Sequence, residues 1–179
     1  MATVNWRSLN ELVRIQSKWV TLIAEQWLTE KGETLEYWRV EKADSVIILT
    51  LQGDYLICLP PTFRVGIRRA TVDFPGGRVL PDQTPMAMVP QILARELGTD
   101  TDSIQAIASL NEQPWLINSA FSNQRLWGFI AELAPTAPVP RGGSKFRLES
   151  PDIPQLLAQL ECLQCRAVLL EWLSQRRQA

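Results

Sequence analysis

The 179-residue sequence contains no histidine, and this absence limits the chemistry that the chain can perform. It excludes Ser-His-Asp and Cys-His nucleophilic catalysis, histidine-ligated zinc and imidazole general-base catalysis. Catalysis would have to use carboxylate, lysine, tyrosine, serine, threonine or cysteine side chains. A catalytic metal ion would be held by oxygen ligands.

Three cysteines are too few for a disulfide framework. Cys58 lies in an apolar run, and Cys162 and Cys165 form one C-x-x-C pair in a helical pattern. A structural zinc site needs four protein ligands, so this pair supplies half of one. The pattern favours two buried or half-buried helical cysteines, with a redox pair as the alternative. Reduced thiols and the lack of a signal-like N-terminus predict a cytoplasmic protein.

Basic side chains are concentrated in the segment TFRVGIRR, residues 62–69, where Arg64, Arg68 and Arg69 bring three guanidinium groups together. Such a group can bind an anion through bidentate hydrogen bonds. The alternative interpretation is that the arginines belong to a solvated loop or to a contact between subunits. The whole chain has 18 basic and 19 acidic residues and a net charge of −1. Without a basic excess or a long apolar run, we expect no nucleic-acid and no membrane partner.

The chain is 46% hydrophobic, which is enough for the core of one domain. Residues 45–51 and 55–59 read as strands joined by a tight turn, and residues 70–74 as a short strand ending at Pro75-Gly76-Gly77. A helix is predicted from Thr84, a favourable N-cap, to Leu97, before Gly98. Residues 103–111 and 126–133 read as further strands, and the C-terminus as helical. The pattern predicts an α/β or α+β domain with a sheet between helices.

The first 43 residues are harder to interpret. For Trp6–Ile15 we expect a helical turn or an ordered arm, and residues 17–28 fit a helix or a hairpin equally well. Residues 34–40 alternate as a strand does. We therefore divide the chain into an arm, residues 1–16, and one domain, residues 17–179, which begins with a hairpin at residues 17–43.

The strand–loop–helix unit ATVDFPGGRV…TPMAMVPQILARELG resembles the Nudix hydrolase motif, G-x5-E-x7-R-E-U-x-E-E-x-G-U, with U aliphatic. Gly77 and Gly98 are 21 residues apart, as the two glycines of the motif are. The preceding YLICLPPTFRVGIRRATVDFPGG and the later AFSNQRLWGFIAEL are similar to stretches of ADP-ribose pyrophosphatases. The resemblance extends over residues 17–172 and implies the Nudix fold, a mixed sheet between helices with an N-terminal β hairpin.

The carboxylates of the motif are mostly absent from this sequence. Nudix enzymes hold Mg²⁺ against a pyrophosphate through glutamates on one helix face, and here those positions are Gln83, Ile92, Arg95 and Glu96. Glu96 is the only retained box carboxylate and thus the candidate catalytic residue. A shifted alignment, with Arg95-Glu96-Leu97 as the R-E-U element, would need a four-residue insertion and still lacks the full set.

The resemblance also implies a ligand site. It implies that the loop with Arg64, Arg68 and Arg69 contacts phosphate or ribose. Gly76 and Gly77 would shape the exit from the strand, and Gln124 stands where the family often has a glutamate. Metal ligands would be Glu96 and Glu112 if a metal binds at all. Other nearby acids are Asp73, Asp82 and Asp100.

Three functions follow. The first is a Nudix-like protein with a degenerate box that binds a nucleoside diphosphate derivative or a protein partner without hydrolysing pyrophosphate. The second is an active Mg²⁺-dependent hydrolase of ADP-ribose or a related compound, with Mg²⁺ as its cofactor. The third is an assembly subunit. Because Trp6, Trp19, Trp27 and Trp38 fall in the first 40 residues, we expect the hairpin to bury apolar surface in a homodimer.

Overall fold

The computed structural model describes residues 6–149 and 151–178. Its twelve strands are β1 (Arg7–Gln16), β2 (Thr21–Leu28), β3 (Thr34–Glu41), β4 (Ser45–Gln52), β5 (Tyr55–Cys58), β6 (Thr62–Arg64), β7 (Arg69–Thr71), β8 (Gly76–Arg78), β9 (Ile104–Ser109), β10 (Trp115–Leu116), β11 (Arg125–Leu133) and β12 (Ser144–Arg147). Its helices are α1 (Pro85–Leu97), α2 (Asp152–Gln159) and α3 (Leu163–Arg176). The chain forms two compact units: the part up to Ala43 together with Leu116–Arg125, and the remainder.

The first unit contains a three-stranded antiparallel sheet in the order β1-β2-β3. Strands β2 and β3 form the hairpin that the sequence predicts. The helical turn expected for Trp6–Ile15 is wrong, because β1 pairs with β2 from Arg7 to Gln16. Two register shifts leave Leu9 and Leu12 as extra residues, which interrupts the alternation by which a strand is recognised in a sequence.

The second unit is built on a mixed sheet with the order β10-β11-β4-β5-β12, with β8 also paired to β4 and β9 to β11. Strand β11 runs parallel to β4, while β5, β8, β9 and β12 pair antiparallel with their neighbours. The arginine segment, expected to be a loop, contains a small antiparallel hairpin of β6 and β7. The strand expected at residues 70–74 is correspondingly short and ends at Thr71.

Helix α1 confirms the prediction for residues 84–97. The hydroxyl of Thr84 accepts a hydrogen bond from the Ala87 N–H, and Gly98 ends the helix with a φ of 69°. Its inner face joins the sheet in the main core through a set of buried residues: Met88, Val89, Ile92, Leu93 and Leu97.

Helix α3 covers the other face of the sheet. Phe129 on β11 belongs to the α1 core, whereas a Cβ placed on its neighbour Gly128 would lie 3.3 Å from Val168 of α3. Because adjacent residues of a strand point to opposite faces, the two helices enclose the sheet. This confirms the predicted sheet between helices. Within the described residues, no helix is both long and apolar enough to cross a membrane.

Candidate functional site

A cavity of about 500 Å³ opens in the second unit beside the β6–β7 hairpin. Strands β4, β7 and β8, the last turn of α1 and the first turn of α3 all contribute to its wall. The polar and sulfur-containing side chains in the wall are Arg64, Arg69, Thr71, Asp73, Glu96, Glu161, Cys162, Gln164 and Cys165. Four residues predicted from the sequence as site residues therefore line one cavity: Arg64, Arg69, Gly76 and Glu96.

The two glycines of the strand exit are required by close packing. A Cβ on Gly76 would lie 2.7 Å from Ile47 and 3.0 Å from the carbonyl oxygen of Val46. A Cβ on Gly77 would lie 3.1 Å from the side chain of Ile92. Strand β8 can thus lie between β4 and α1 only because these residues have no side chain.

At the box helix, a guanidinium group occupies the neighbourhood of the single retained carboxylate. The Nε atom of Arg95 donates to Glu96 Oε1 at 2.7 Å, and its terminal nitrogen donates to the carbonyl oxygen of Gly76 at 2.9 Å. Ile92, at another carboxylate position of the motif, is completely buried in the core. Mg²⁺ takes octahedral oxygen ligands, and α1 offers it one carboxylate that is already bonded to a guanidinium group, so these residues do not fit a magnesium cluster.

The two cavity arginines are already paired with carboxylates. Arg64 Nε donates to Asp73 Oδ2 at 2.9 Å, and Arg69 is ion-paired with Glu161. A guanidinium carries five N–H donors, more than one carboxylate accepts, so both arginines keep donors for a further anion. Because Arg95 is bonded to Glu96, each of the three carboxylates in the cavity wall, Asp73, Glu96 and Glu161, is paired with an arginine.

Asp73 is held in a single orientation at the floor of the cavity. Asp73 is only 6% exposed. Its Oδ2 atom accepts hydrogen bonds from Arg64 and, at 2.8 Å, from the Thr71 hydroxyl. The other oxygen, Oδ1, lies 3.7 Å from the sulfur of Cys165. The carboxylate therefore has one oxygen fixed by protein donors and one directed at the cysteine pair.

Cys162 and Cys165 stand at the start of α3, where Cys162 is the N-cap residue and Cys165 lies in the first turn. When the Cys165 thiol donates to the Cys162 sulfur rather than to Asp73, it lowers the pKa of Cys162 to about 6. The same hydrogen bond, together with burial, raises the pKa of Cys165. Cys58 differs, since burial raises its pKa to about 12. The prediction of two buried or half-buried cysteines is confirmed for Cys162 and Cys165, and Cys58 is buried as well.

The remaining predicted site residues lie outside the cavity wall. Arg68 is an exposed turn residue with a φ of 54°, and Gly77 packs against α1. Gln124 belongs to the first unit, where its side-chain amide donates to the carbonyl oxygen of Ala43. Glu112 is exposed in the turn after β9. For these residues a ligand role stays a prediction.

Sequence reasoning missed the cysteine pair and Glu161 as cavity residues, and it named Asp73 only as a nearby acid. The signal available in the sequence was the C-x-x-C spacing. In the structure, residues 160–162 separate α2 from α3, so the pair stands at the start of a helix and presents both sulfurs at that helix end. The convergence of the pair with Asp73, 89 residues earlier than Cys162, requires the fold.

Comparison with known proteins identifies a shared fold. No family model matches the sequence, and no curated protein matches it. Among solved structures, the crystal structure of an ADP compounds hydrolase matches with a TM-score of 0.75 and 15% identity, covering 97% of each chain. The chain therefore has the Nudix-like fold with an N-terminal hairpin that its sequence predicts, and the chemistry must be judged from its own cavity.

Proposed function

We propose that this chain binds a nucleoside diphosphate derivative, such as ADP-ribose, in the cavity and does not hydrolyse it at the box helix. The observation that carries the proposal is the contact of Arg95 with both Glu96 and the Gly76 carbonyl. A positive group bonded to the single retained carboxylate disfavours Mg²⁺ at that position. The cavity itself is still large enough for part of a nucleotide, since ligand sites commonly have volumes of about 300–1,000 Å³.

Arginine contacts support an anionic ligand. Arg69 has a side chain that is 64% exposed, and Arg64 has one that is 45% exposed, although both are ion-paired. Guanidinium groups bind phosphate bidentately, and a phosphate can share an arginine with a carboxylate through the remaining donors. The ADP compounds hydrolase with the same fold makes an ADP-containing ligand the first compound to test.

The test measures binding and turnover in the same sample. We expect ADP-ribose to raise the melting temperature of the purified protein and to be recovered intact by ion-exchange chromatography, with or without Mg²⁺. R69A should weaken binding about tenfold through loss of a charge-assisted hydrogen bond. R141A, in an exposed loop outside the cavity wall, is the matched arginine control. Mg²⁺-dependent turnover that is abolished in E96Q, or a complete lack of binding, would contradict the proposal.

A second function is favoured by the apolar face of the first unit. Strand register places Ile15, Leu22 and Val40 in one row across the three-stranded sheet and Val13, Ala24 and Trp38 in the next. Ile15 is 59% exposed and Trp38 is 40% exposed. The opposite face mixes charged residues, including the Glu25–Arg39 pair, with apolar ones such as Ile23 and Tyr37, so the two rows above form the uniformly apolar part of the sheet.

We propose that this apolar face joins two copies of the chain. A three-stranded sheet with large exposed apolar residues on one face is stabilised by covering that face, and β1 is available at its edge. Light scattering should give the mass of a dimer for the wild type and of a monomer for I15D. V65D, at an apolar residue of the second unit that is more exposed than Ile15 (81% against 59%), should leave the dimer intact. A wild-type monomer at high concentration would exclude the interface.

A further inference from the structure

The cavity contains a second group of possible metal ligands that is independent of the box helix. Asp73, Cys162 and Cys165 each present one ligand atom, and the three atoms lie within 4.8 Å of one another. All three residues line the cavity. We propose that they bind one zinc ion, with the fourth coordination position open to the cavity. This inference does not rest on the proposed nucleotide function.

The observed distances suit a tetrahedral ion. With metal–sulfur bonds of about 2.3 Å and a metal–oxygen bond of about 2.0 Å, a tetrahedral site separates sulfur from oxygen by about 3.5 Å. Cys165 Sγ and Asp73 Oδ1 are 3.7 Å apart, so they need almost no movement. Cys162 is half-buried at the helix N-cap, and its sulfur lies within 4.8 Å of the other two ligand atoms, about 1 Å more than a tetrahedral site requires.

The surroundings already orient the carboxylate as a metal ligand. Arg64 and Thr71 both donate to Asp73 Oδ2, which leaves Oδ1 for the cysteine side. Such donors fix a ligating carboxylate and contribute to metal affinity. Two thiolates, one carboxylate and Zn²⁺ sum to a charge of −1, and the adjacent Arg64 guanidinium neutralises this remainder.

The ligand types select the metal. Thiolates favour Zn²⁺ and other soft ions, whereas Mg²⁺ and Ca²⁺ need oxygen ligands. A closed structural zinc site has four protein ligands, and by that criterion the cysteine pair was judged from the sequence to be insufficient. Three protein ligands with one open position are instead typical of zinc sites that accept water or an exogenous group. In this cavity the open position would accept an oxygen of a small ligand.

The experiment uses fully reduced protein and zinc alone, with no nucleotide, so its outcome is separate from that of the nucleotide test. Competition with a chromophoric chelator should show one equivalent of Zn²⁺ per chain. Co²⁺ in place of Zn²⁺ should give a thiolate-to-cobalt charge-transfer band and the intense visible bands of tetrahedral Co²⁺. Saturation with zinc should also protect Cys162 from alkylation.

Variants assign the ligands. C162S and C165S should each lower zinc affinity by about 100-fold or more, and D73N by about 10- to 100-fold. E161Q is the matched carboxylate control, since Glu161 lines the same cavity and precedes Cys162 but lies outside the cluster. C58A is the matched thiol control. Both controls should bind zinc as the wild type does, with circular dichroism confirming that every variant is folded.

Three results would overturn the proposal. One is the absence of zinc binding by reduced protein at micromolar concentrations. Another is equal zinc affinity in the wild type and in the double variant C162S/C165S. The third is a tetrahedral Co²⁺ spectrum that persists in C165S but is lost in C58A. If D73N fails to fold, the two serine variants and the Co²⁺ spectrum still decide the outcome.

Discussion

Two ends of helices meet at the same cavity, and they are equipped for different chemistry. The last turn of α1 presents Glu96, which is bonded to Arg95, while the first turn of α3 presents Cys162 and Cys165 beside Asp73. The first arrangement carries its own positive charge and needs no metal. The second gathers up to three negative ligand atoms and would be stabilised by a cation.

This difference shows that the strand–loop–helix path of a motif can be present without most of its carboxylates. On α1, the spacing of the glycines and the strand–loop–helix path are intact, but Ile92 now belongs to the core. At α3, no familiar motif is present, yet residues from two distant segments of the chain converge. We propose that a cation binds at the α3 wall of this cavity instead of at the α1 wall.

The largest expected effect concerns hydrolysis. We expect a turnover of ADP-ribose with Mg²⁺ below about 10⁻³ s⁻¹, against about 10 s⁻¹ for a typical enzyme, because the box carboxylates are absent. E96Q should leave any residual rate unchanged. A turnover near 1 s⁻¹ that is lost in E96Q would show that the end of α1 is catalytic and would contradict the distinction between the two helix ends.

The next largest expected effect is a difference between Zn²⁺ and Mg²⁺ in how much each raises the melting temperature. At a free zinc concentration 1,000-fold above its dissociation constant, binding to the folded state alone stabilises a protein by about 4 kcal/mol. For a chain of this size that corresponds to a rise in melting temperature of roughly 10 °C. Mg²⁺ at the same concentration should give no rise. Differential scanning calorimetry of the reduced protein measures both, and equal shifts for the two ions would remove the distinction.

A third prediction tests whether α1 could regain its carboxylates. I92E should destabilise the protein by about 3 kcal/mol or more, because Ile92 is completely buried and an unpaired charge there is costly. A94E, at an exposed position of the same helix, should change the free energy of unfolding by less than about 1 kcal/mol. Urea unfolding compares the two. A well-folded I92E protein that binds Mg²⁺ would show that the core tolerates the box residue.

The smallest expected effect concerns the Glu25–Arg39 ion pair of the first unit, which does not line the cavity. A hydrogen bond from Arg39 lowers the pKa of Glu25. The pair should therefore stabilise the fold above the unfolded pKa of glutamate and lose this effect as the pH falls through the lower, folded pKa. E25Q should cost about 1 kcal/mol at neutral pH.

Urea unfolding at a series of pH values measures this contribution. The difference between the wild type and E25Q should disappear in acid, while E11Q, on the exposed Glu11–Arg14 pair, serves as the control. A difference in the free energy of unfolding that grows as the pH falls would contradict the predicted pH dependence.

Elements that depend on local signals could be predicted from the sequence. Helix α1 has an N-cap at Thr84, a periodic apolar face and Gly98 at its end, and all of these act within a few residues. The β4–β5 hairpin has a tight turn at Gly53. Strand β1 could not be recognised, because Leu9 and Leu12 are bulge residues that break its alternation and its conformation depends on pairing with β2.

The site was only partly predictable for a similar reason. Arg64, Arg69, Gly76 and Glu96 were placed by the resemblance, which follows the path of the chain. The pairing of Arg95 with Glu96 depends on where the carbonyl of Gly76 lies, which no spacing rule provides. The approach of Asp73 to Cys165 joins residues 92 positions apart, so only the tertiary fold brings them together.

The most direct test of the account locates the cation in the cavity. Crystals of the reduced protein soaked in Zn²⁺, with data collected on both sides of the zinc absorption edge, give an anomalous difference peak at any bound zinc. The account predicts one peak within bonding distance of Cys162, Cys165 and Asp73 and no peak beside Glu96. A peak at Glu96, with the cysteine pair free of metal, would contradict it.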